Sequence, residues 1–313
     1  MIRLKKITNG AKRVLLMINP SAGNIRNDSD KINDITCRMK DRKIEPTVHL
    51  LSPDSNIHSF VERAIKSGIR TVIACGGDGT VSAVSKAIAG LPVTLGILPL
   101  GTQNNIALSL GIPSLLSDAI DLLVSGKYKK IDLGKLTFQG KRSYFIEVCS
   151  IGLTSAVFTS ADKIQHGQFG KIPDLMATLI TSAPSDITML INGKQSISCR
   201  GHVVAVTNMP YAGRNFQIGS RDSYMDGYLD VLYMGDMSKL KLLGYAVSKR
   251  ATSHIKDARI QCFRAKNIII ETNPPMPVMA DGRVLGKGPV EIEVKKRALK
   301  VIAPPRVIVQ PHI

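Results

Sequence analysis

A glycine-rich turn between an apolar strand and an amphipathic helix constrains this chain more than any other feature. The run 71–74 (TVIA) predicts a buried strand, the segment 75–80 (CGGDGT) follows as a turn, and apolar residues then recur at helical spacing over 81–88. Glycines let backbone N–H groups close on a phosphate without obstruction by Cβ atoms, and a helix N-terminus attracts anions. The segment therefore predicts a site for the phosphates of a nucleoside triphosphate, the alternative being a tight turn without a ligand.

Two polar side chains of this turn have predicted roles of their own. Thr80 is expected to cap the following helix, since a hydroxyl oxygen at a helix N-terminus accepts a backbone N–H. A lone acid would repel a phosphate, so Asp78 indicates a bridging Mg²⁺ ion.

Two further polar turns follow predicted strands, 19–23 (NPSAG) and 99–105 (PLGTQNN). Because α/β sheets of this kind bind ligands at the carboxyl ends of their strands, we expect all three turns at one edge of one sheet. Neither of these two turns contains the P-loop pattern GxxxxGK[ST], and the segment 75–80 lacks the dinucleotide pattern GxGxxG.

The order of predicted elements divides the chain into two domains. The first third alternates strands with helices, which favours a doubly wound parallel α/β sheet. From Lys130 strands follow one another, with helical patterns only near 173–181 and 238–249, which predicts an antiparallel β-sandwich. Asn192-Gly193 and Asp226-Gly227 are predicted hairpin turns. We expect a nucleotide domain over 1–132, a β-rich domain over 133–299, and a tail from about 300 to 313 that returns to the first domain.

The charge of the chain bears on its partners. There are 42 Lys and Arg against 24 Asp and Glu, a net charge of +18, which favours polyanions such as an anionic membrane surface. With no Trp and no aromatic residues interleaved among the basic ones, we expect no nucleic-acid partner.

The cysteines and the apolar runs bear on location. Five scattered Cys indicate free thiols in a cytoplasmic protein. No run of the sequence reaches the ~20 apolar residues of a spanning helix. Membrane association is therefore expected to be peripheral.

The basic amphipathic stretch 237–250 could serve that association, the alternative being a helix packed on the protein's own core. The oligomeric state is left open, with a homodimer among the options.

Several motifs together resemble the diacylglycerol-kinase catalytic family, which includes bacterial lipid kinases and the sphingosine and ceramide kinases. They are 19–23 (NPSAG), 76–80 (GGDGT), 99–107 (PLGTQNNIA), 110–113 (LGIP), 131–134 (IDLG), 211–213 (YAG), 226–231 (DGYLDV) and Asp281-Gly282. The resemblance extends over essentially the whole chain. It implies an N-terminal nucleotide domain related to NAD kinases and phosphofructokinases, a C-terminal β-sandwich with the lipid site, and phosphoryl transfer from ATP with Mg²⁺ to a lipid hydroxyl.

The resemblance also implies roles for individual residues. Those assigned to the nucleotide are Asn19, Gly23, Gly76, Gly77, Asp78, Gly79, Thr80, Gly101, Thr102, Asn104 and Lys171. Asp132 is assigned to the lipid substrate, Asp281 to catalysis, and Asp226 to a structural Mg²⁺, while Asp78 acts in catalysis through its metal. Asp132 could instead end a strand, and Lys171 could be a surface lysine.

Two positions depart from the family pattern. The family usually has Asp-Gly-Glu near the C-terminus, and its Glu or Asp activates the acceptor hydroxyl as a general base. In this chain Arg283 takes the place of the Glu, and a guanidinium cannot be a base at pH 7. Met225 stands where many bacterial members have another acid.

These departures leave several functional alternatives. Asp281 could act alone as the base, or the acceptor hydroxyl could be activated from elsewhere. The protein could also be a catalytically impaired nucleotide- and lipid-binding regulator. A soluble-substrate kinase of the NAD-kinase type is a further alternative.

Overall fold

A computed structural model of the chain describes residues 11–23, 28–153, 183–211, 217–238, 241–242 and 257–305. The chain divides into two compact units. The first contains Met1–Lys130 together with Leu299–Ile313, and the second contains Ile131–Ala298.

The first unit is built on a parallel sheet in the strand order β2-β1-β3-β4. The C-terminal strand adds to this sheet beyond β4, with Lys300 opposite Thr94 and Val301 opposite Leu95, again in parallel. Every residue of β3 and β4 is buried, as expected for strands covered on both faces. The elements are β1 Lys12–Ile18, α1 Ser29–Asp41, β2 Ile44–Leu50, α2 Ile57–Lys66, β3 Thr71–Gly76, α3 Asp78–Ile88, β4 Thr94–Pro99, α4 Asn105–Ser109 and α5 Leu116–Ser125. The predicted doubly wound sheet is confirmed.

The second unit consists mainly of antiparallel strands. Its strands pair in the order β14-β13-β7-β9-β8-β12-β15, and β10 joins β9 to β11. The strands are β5 Lys127–Phe138, β6 Lys141–Phe145, β7 Val148–Gly152, β8 Ser185–Ile191, β9 Gln195–Thr207, β10 Leu229–Gly235, β11 Ile260–Ala265, β12 Asn267–Asn273, β13 Pro277–Ala280, β14 Arg283–Lys287 and β15 Val290–Ala303. Alternate side chains of β8 are buried and join one hydrophobic core with residues of the other strands.

The Asn192-Gly193 hairpin is confirmed. Both residues have positive φ, 52° and 65°, and Lys194 N donates to Ile191 O at 3.0 Å, as a type I′ turn requires. The Asp226-Gly227 hairpin is wrong, because this pair follows a short 3₁₀ helix, Ser223–Met225, and leads into β10.

One further difference concerns the strands. The strand-like run 144–148 predicts a single strand, but the structure has two strands there, β6 and β7, separated at Ile146-Glu147. The helical pattern near 173–181 and most of the stretch 237–250 lie outside the described residues. No helix in the described ranges is long and apolar enough to cross a membrane.

Candidate functional site

Three turns meet at the carboxyl ends of β1, β3 and β4 in the first unit. Asn19 N, just after β1, donates to Cys75 O at 3.0 Å, and Leu100 N, just after β4, donates to Gly76 O at 3.0 Å. The turn after β3 therefore lies between the other two. This is the shared edge that the sequence predicts.

Glycines make this close approach of the turns possible. Gly23 has φ +50°, and a Cβ atom there would overlap the carbonyl oxygen of Leu100. Gly77 and Gly101 face each other, and a Cβ atom on Gly77 would lie 3.1 Å from the Cα of Gly101. Side chains at these positions would push the turns apart, so the turns require glycine for packing within the protein itself.

Asn19 and Thr80 tie the first turn to the second. Asn19 Nδ2 donates to Thr80 Oγ1 at 3.2 Å, and Asn19 Oδ1 accepts from Ser21 N at 3.0 Å. The expectation that Thr80 caps α3 is wrong: Gly77 is the N-cap, and Thr80 is a buried residue inside the first turn. Its hydroxyl fixes the Asn19 amide instead.

Asp78 ties the second turn to the third. Its Oδ2 accepts from Asn105 N at 3.0 Å and its Oδ1 from Ile106 N at 2.9 Å, so the carboxylate caps the N-terminus of α4. Asn104 precedes α4 with left-handed φ and ψ of 54° and 42°. It closes its own turn, donating to Gly101 O at 2.8 Å and accepting from Gly101 N at 2.9 Å.

One side of these turns is open. Gly79 is exposed in the first turn of α3. Apart from its chain neighbours and the backbone of α3, no atom of the described residues lies within 4 Å of the position that a Cβ atom would take there. Packing within the described chain therefore does not explain this glycine, in contrast to Gly77. Thr102 and Gly23 are also exposed at these turns.

Asp281 lies in the second unit, at the turn between β13 and β14. Asp281 and Gly282 both have positive φ, 43° and 77°, which makes this pair a type I′ hairpin turn. The Asp281 carboxylate accepts from Ile146 N at 3.0 Å, Glu147 N at 3.0 Å and Val148 N at 3.1 Å. It thus holds the bend that separates β6 from β7. Its role as a base stays a prediction.

Sequence reasoning missed Glu147, the acid in this bend. The residue is 9% exposed, its carbonyl accepts from Asn208 N at 2.9 Å, and its N–H donates to Asp281. No local pattern marks it, because it lies inside what reads as one continuous strand.

Asp132 is 1% exposed and belongs to a buried network. Its Oδ2 accepts from Gly227 N at 2.8 Å and its Oδ1 from Arg297 N at 2.7 Å, while its carbonyl accepts from Asn208 Nδ2 at 2.9 Å. These bonds join β5 to β15 and to the segment before β10, which is a structural role. Its contact with a substrate stays a prediction.

The surroundings of Asp226 do not fit the metal that the family resemblance implies. Asp226 forms an ion pair with Arg264, whose Nε also lies 3.8 Å from Asp230 Oδ1. The guanidinium carbon is 4.6 Å from the centroid of the Tyr228 ring, a cation–π contact that fixes it in place. A protein cation thus already stands between the two acids, and the described residues contain no cluster of three metal-binding side chains.

The same acids have perturbed titrations. Burial raises the pKa of Asp230 to about 6, against the smaller opposing effect of Arg264. Burial also raises the pKa of Asp226.

Lys171, which the family resemblance assigns to the nucleotide, lies outside the described residues, and so does most of the 211–213 motif.

Comparisons with known proteins agree with this organisation. Residues 13–136 match the family model of the diacylglycerol kinase catalytic domain, and residues 148–303 match that of the YegS C-terminal NAD kinase beta sandwich-like domain. The chain is 28% identical over 272 residues to a diacylglycerol kinase of Mycobacterium tuberculosis, covering 85% of this chain and 87% of that protein. It is 25% identical over 302 residues to a diacylglycerol kinase of Bacillus subtilis, covering 94% and 97%.

A crystal structure of a diacylglycerol kinase from Bacillus anthracis superposes with a TM-score of 0.74 at 22% identity, covering 96% of this chain and all of that one. At that identity the likeness concerns the fold. The two domain models follow each other in one chain, with the GGDGT turn in the first and Asp281-Gly282 in the second. The chain belongs to the diacylglycerol kinase catalytic family.

Proposed function

We propose that this protein transfers the γ-phosphate of ATP, bound with Mg²⁺, to a hydroxyl group of diacylglycerol or a similar lipid. Membership of a kinase family implies the use of ATP. The observation that carries the proposal is the open side of the three turns at Gly79. A phosphate can approach the backbone there, and the glycine has no packing reason within the described chain.

Phosphoryl transfer depends mainly on positioning and on neutralising charge. The Asn19 amide, held by Thr80, and the closed turn 101–104 would fix the nucleotide at the strand ends. Mg²⁺ would supply positive charge at the transferred phosphoryl group. The Asp78 carboxylate, held between the second and third turns by its bonds to Asn105 N and Ile106 N, would supply an oxygen ligand of the kind that Mg²⁺ prefers.

The net charge of +18 supports a peripheral encounter with an anionic membrane in the cytoplasm. Such contact would let the enzyme take its substrate from the lipid surface.

Transfer of labelled γ-phosphate from Mg-ATP into a total lipid extract tests the proposal. A labelled lipid would establish a kinase, and its identity would name the acceptor. Folded protein that binds ATP but labels no lipid would contradict the proposal.

Gly79→Ala probes the site itself. A methyl group there meets no atom of the described residues beyond its own helix and chain neighbours, so the melting temperature should be unchanged or slightly higher. A phosphate displaced by about 1 Å can cost about 10²-fold in rate, and we expect a loss of that order. Asn33→Ala, on an exposed position of α1, is the matched control and should keep full activity. Full activity in Gly79→Ala would show that no phosphate approaches this turn.

One observation favours a second candidate, a nucleotide- and lipid-binding regulator without turnover. Asp281 already accepts three amide protons, and the exposed Arg283 cannot act as a base. A loose transition state makes modest demands on a base, so we place the kinase first. Saturable binding of ATP and lipid with no labelled product would identify the regulator.

A further inference from the structure

A basic pocket lies at the opposite end of the parallel sheet from the three turns. It occupies about 430 Å³ in the first unit and is lined by residues at the amino ends of the strands, including Lys12 of β1, Thr71 of β3 and Thr94 of β4. Strands of six or seven residues at about 3.3 Å per residue place it roughly 20 Å from the candidate nucleotide site.

Four cationic side chains line this pocket, and no acidic side chain among the described residues does. They are Lys12, Arg13, Arg70 and Lys300. Three of them donate to neutral carbonyl oxygens: Lys12 Nζ to Leu123 O at 3.4 Å, Arg13 Nη1 to Ser67 O at 3.1 Å, and Arg70 Nη1 to Ile65 O at 2.8 Å.

Among the described residues, none of the four has an acidic partner within ion-pair distance. Like charges held this close repel one another, and a bound anion would offset that cost.

Tyr128 brings two of these cations together. Lys300 Nζ lies 4.3 Å and Lys12 Nζ 5.8 Å from the centroid of its ring. Tyr128 is 57% exposed, so a ligand entering from solvent could reach the ammonium groups beside it. The cation–π contacts hold both ammonium groups beside one ring at the pocket, which reduces the entropy they would lose on binding an anion.

We propose that this pocket binds the phosphate group of an anionic ligand. Two lysines supply point charges, and two arginines supply forked donors suited to phosphate oxygens. The volume falls in the range of small-molecule sites and suits a phosphate with a small attached group. Phosphate in solution and the headgroup of a phospholipid such as phosphatidic acid share this chemistry. The pocket shares no residue with the candidate nucleotide site, so the inference stands apart from the kinase proposal.

The test compares full-length wild type with the double variant Lys12→Gln/Lys300→Gln. The matched control is Lys40→Gln/Lys194→Gln, which removes the same charge from exposed positions elsewhere. One arm titrates inorganic phosphate by calorimetry and by melting temperature at constant ionic strength. The other measures co-flotation with phosphatidylcholine vesicles that do or do not contain phosphatidic acid.

We expect the pocket variant to bind about tenfold more weakly for each cation removed, and the control to bind like wild type. Loss in the phosphate arm would identify a soluble ligand, and loss confined to vesicles containing phosphatidic acid would identify a lipid headgroup. Equal losses in the pocket variant and the control, or none in either arm, would overturn the proposal. At low salt the pocket variant should melt no lower than wild type, since like charges are removed. The single variant Lys300→Gln serves if the double variant fails to fold.

Discussion

At the scale of single residues, the acids of this family pattern act first as structural acceptors. Asp78 caps α4, Asp281 holds a bend and Asp132 joins strands, each by accepting backbone N–H groups far away in sequence. Their residue types and spacing are visible in the sequence and are sufficient for the resemblance. The backbone groups that these acids bind are not visible in the sequence, because the bonds from Asp281 to Glu147 and from Asp132 to Arg297 span 134 and 165 residues.

Asp230 makes stability depend on pH. Burial raises its pKa to about 6 from an ordinary 3.8, so the folded state binds its proton more tightly than the unfolded state. Stability from this group is fully present below about pH 4 and is lost as the pH rises through 6. The full effect is roughly 3 kcal/mol, with Arg264 attracting the charged form and Asp226 repelling it.

Urea unfolding of wild type and Asp230→Asn at pH 4, 5, 6 and 7 measures this effect. Relative to wild type, Asp230→Asn should gain stability as the pH rises, most steeply between about 4 and 6. A difference between the two proteins that does not vary with pH would contradict the assignment.

At the scale of elements, the extent to which a strand or helix is buried determines whether it can be predicted from the sequence. β3 and β4 are continuous apolar runs because both of their faces are covered, and their turns carry glycine, so both strands are predictable. Helix α1 was not predicted because it is mostly polar and buries chiefly Ile35 and Met39, which leaves a weak apolar pattern. Strand β14 was not predicted because most of its side chains are exposed, although Asp281-Gly282 before it is a strong hairpin signal.

The tie between β13–β14 and the β6–β7 bend predicts a measurable cost for Asp281→Asn. Asparagine keeps one acceptor oxygen and turns an NH₂ group toward an amide N–H, so at least one of three bonds is lost. We expect a loss of about 2–3 kcal/mol in the free energy of unfolding, measured by urea titration.

Asp186→Asn, on an exposed position of β8, is the matched control and should change stability by less than about 0.5 kcal/mol.

The variant Asp281→Asn also tests catalysis. If Asp281 is the base, the rate of lipid phosphorylation by folded Asp281→Asn at low temperature should fall, while Glu147→Gln stays active. The reverse result would move the base to Glu147, and unchanged stability in Asp281→Asn would contradict its structural role.

At the scale of the whole molecule, the first unit is not one continuous stretch of chain. It takes its last strand from Leu299–Ile313, after the chain has formed the second unit. The sequence analysis expects a tail from about 300 to 313 that returns to the nucleotide domain. The partner strand could not be read from the sequence, because the pairing of Lys300 with Thr94 joins positions about two hundred residues apart.

This arrangement predicts that the fragment 1–130 does not fold by itself. Leu299, Val301 and Ile302 are each at most 2% exposed, and Val301 pairs with Leu95 of β4. Burying such side chains contributes about 1.5–3 kcal/mol each, so their loss would remove roughly 5–9 kcal/mol. That is comparable to the whole stability of an ordinary domain. Fragment 1–130 should therefore lack a cooperative unfolding transition by circular dichroism.

Restoring residues 299–305 through a long glycine-rich linker should recover the transition, since the entropic cost of closing a loop grows slowly with its length. The same linked fragment with Val301→Asp is the matched control, because a charge at a buried sheet position should abolish the recovery. A folded 1–130 fragment would show that β4 is stable as the edge of the sheet and would contradict the prediction. Recovery in the Val301→Asp control would show that the linker, rather than strand pairing, stabilises the unit.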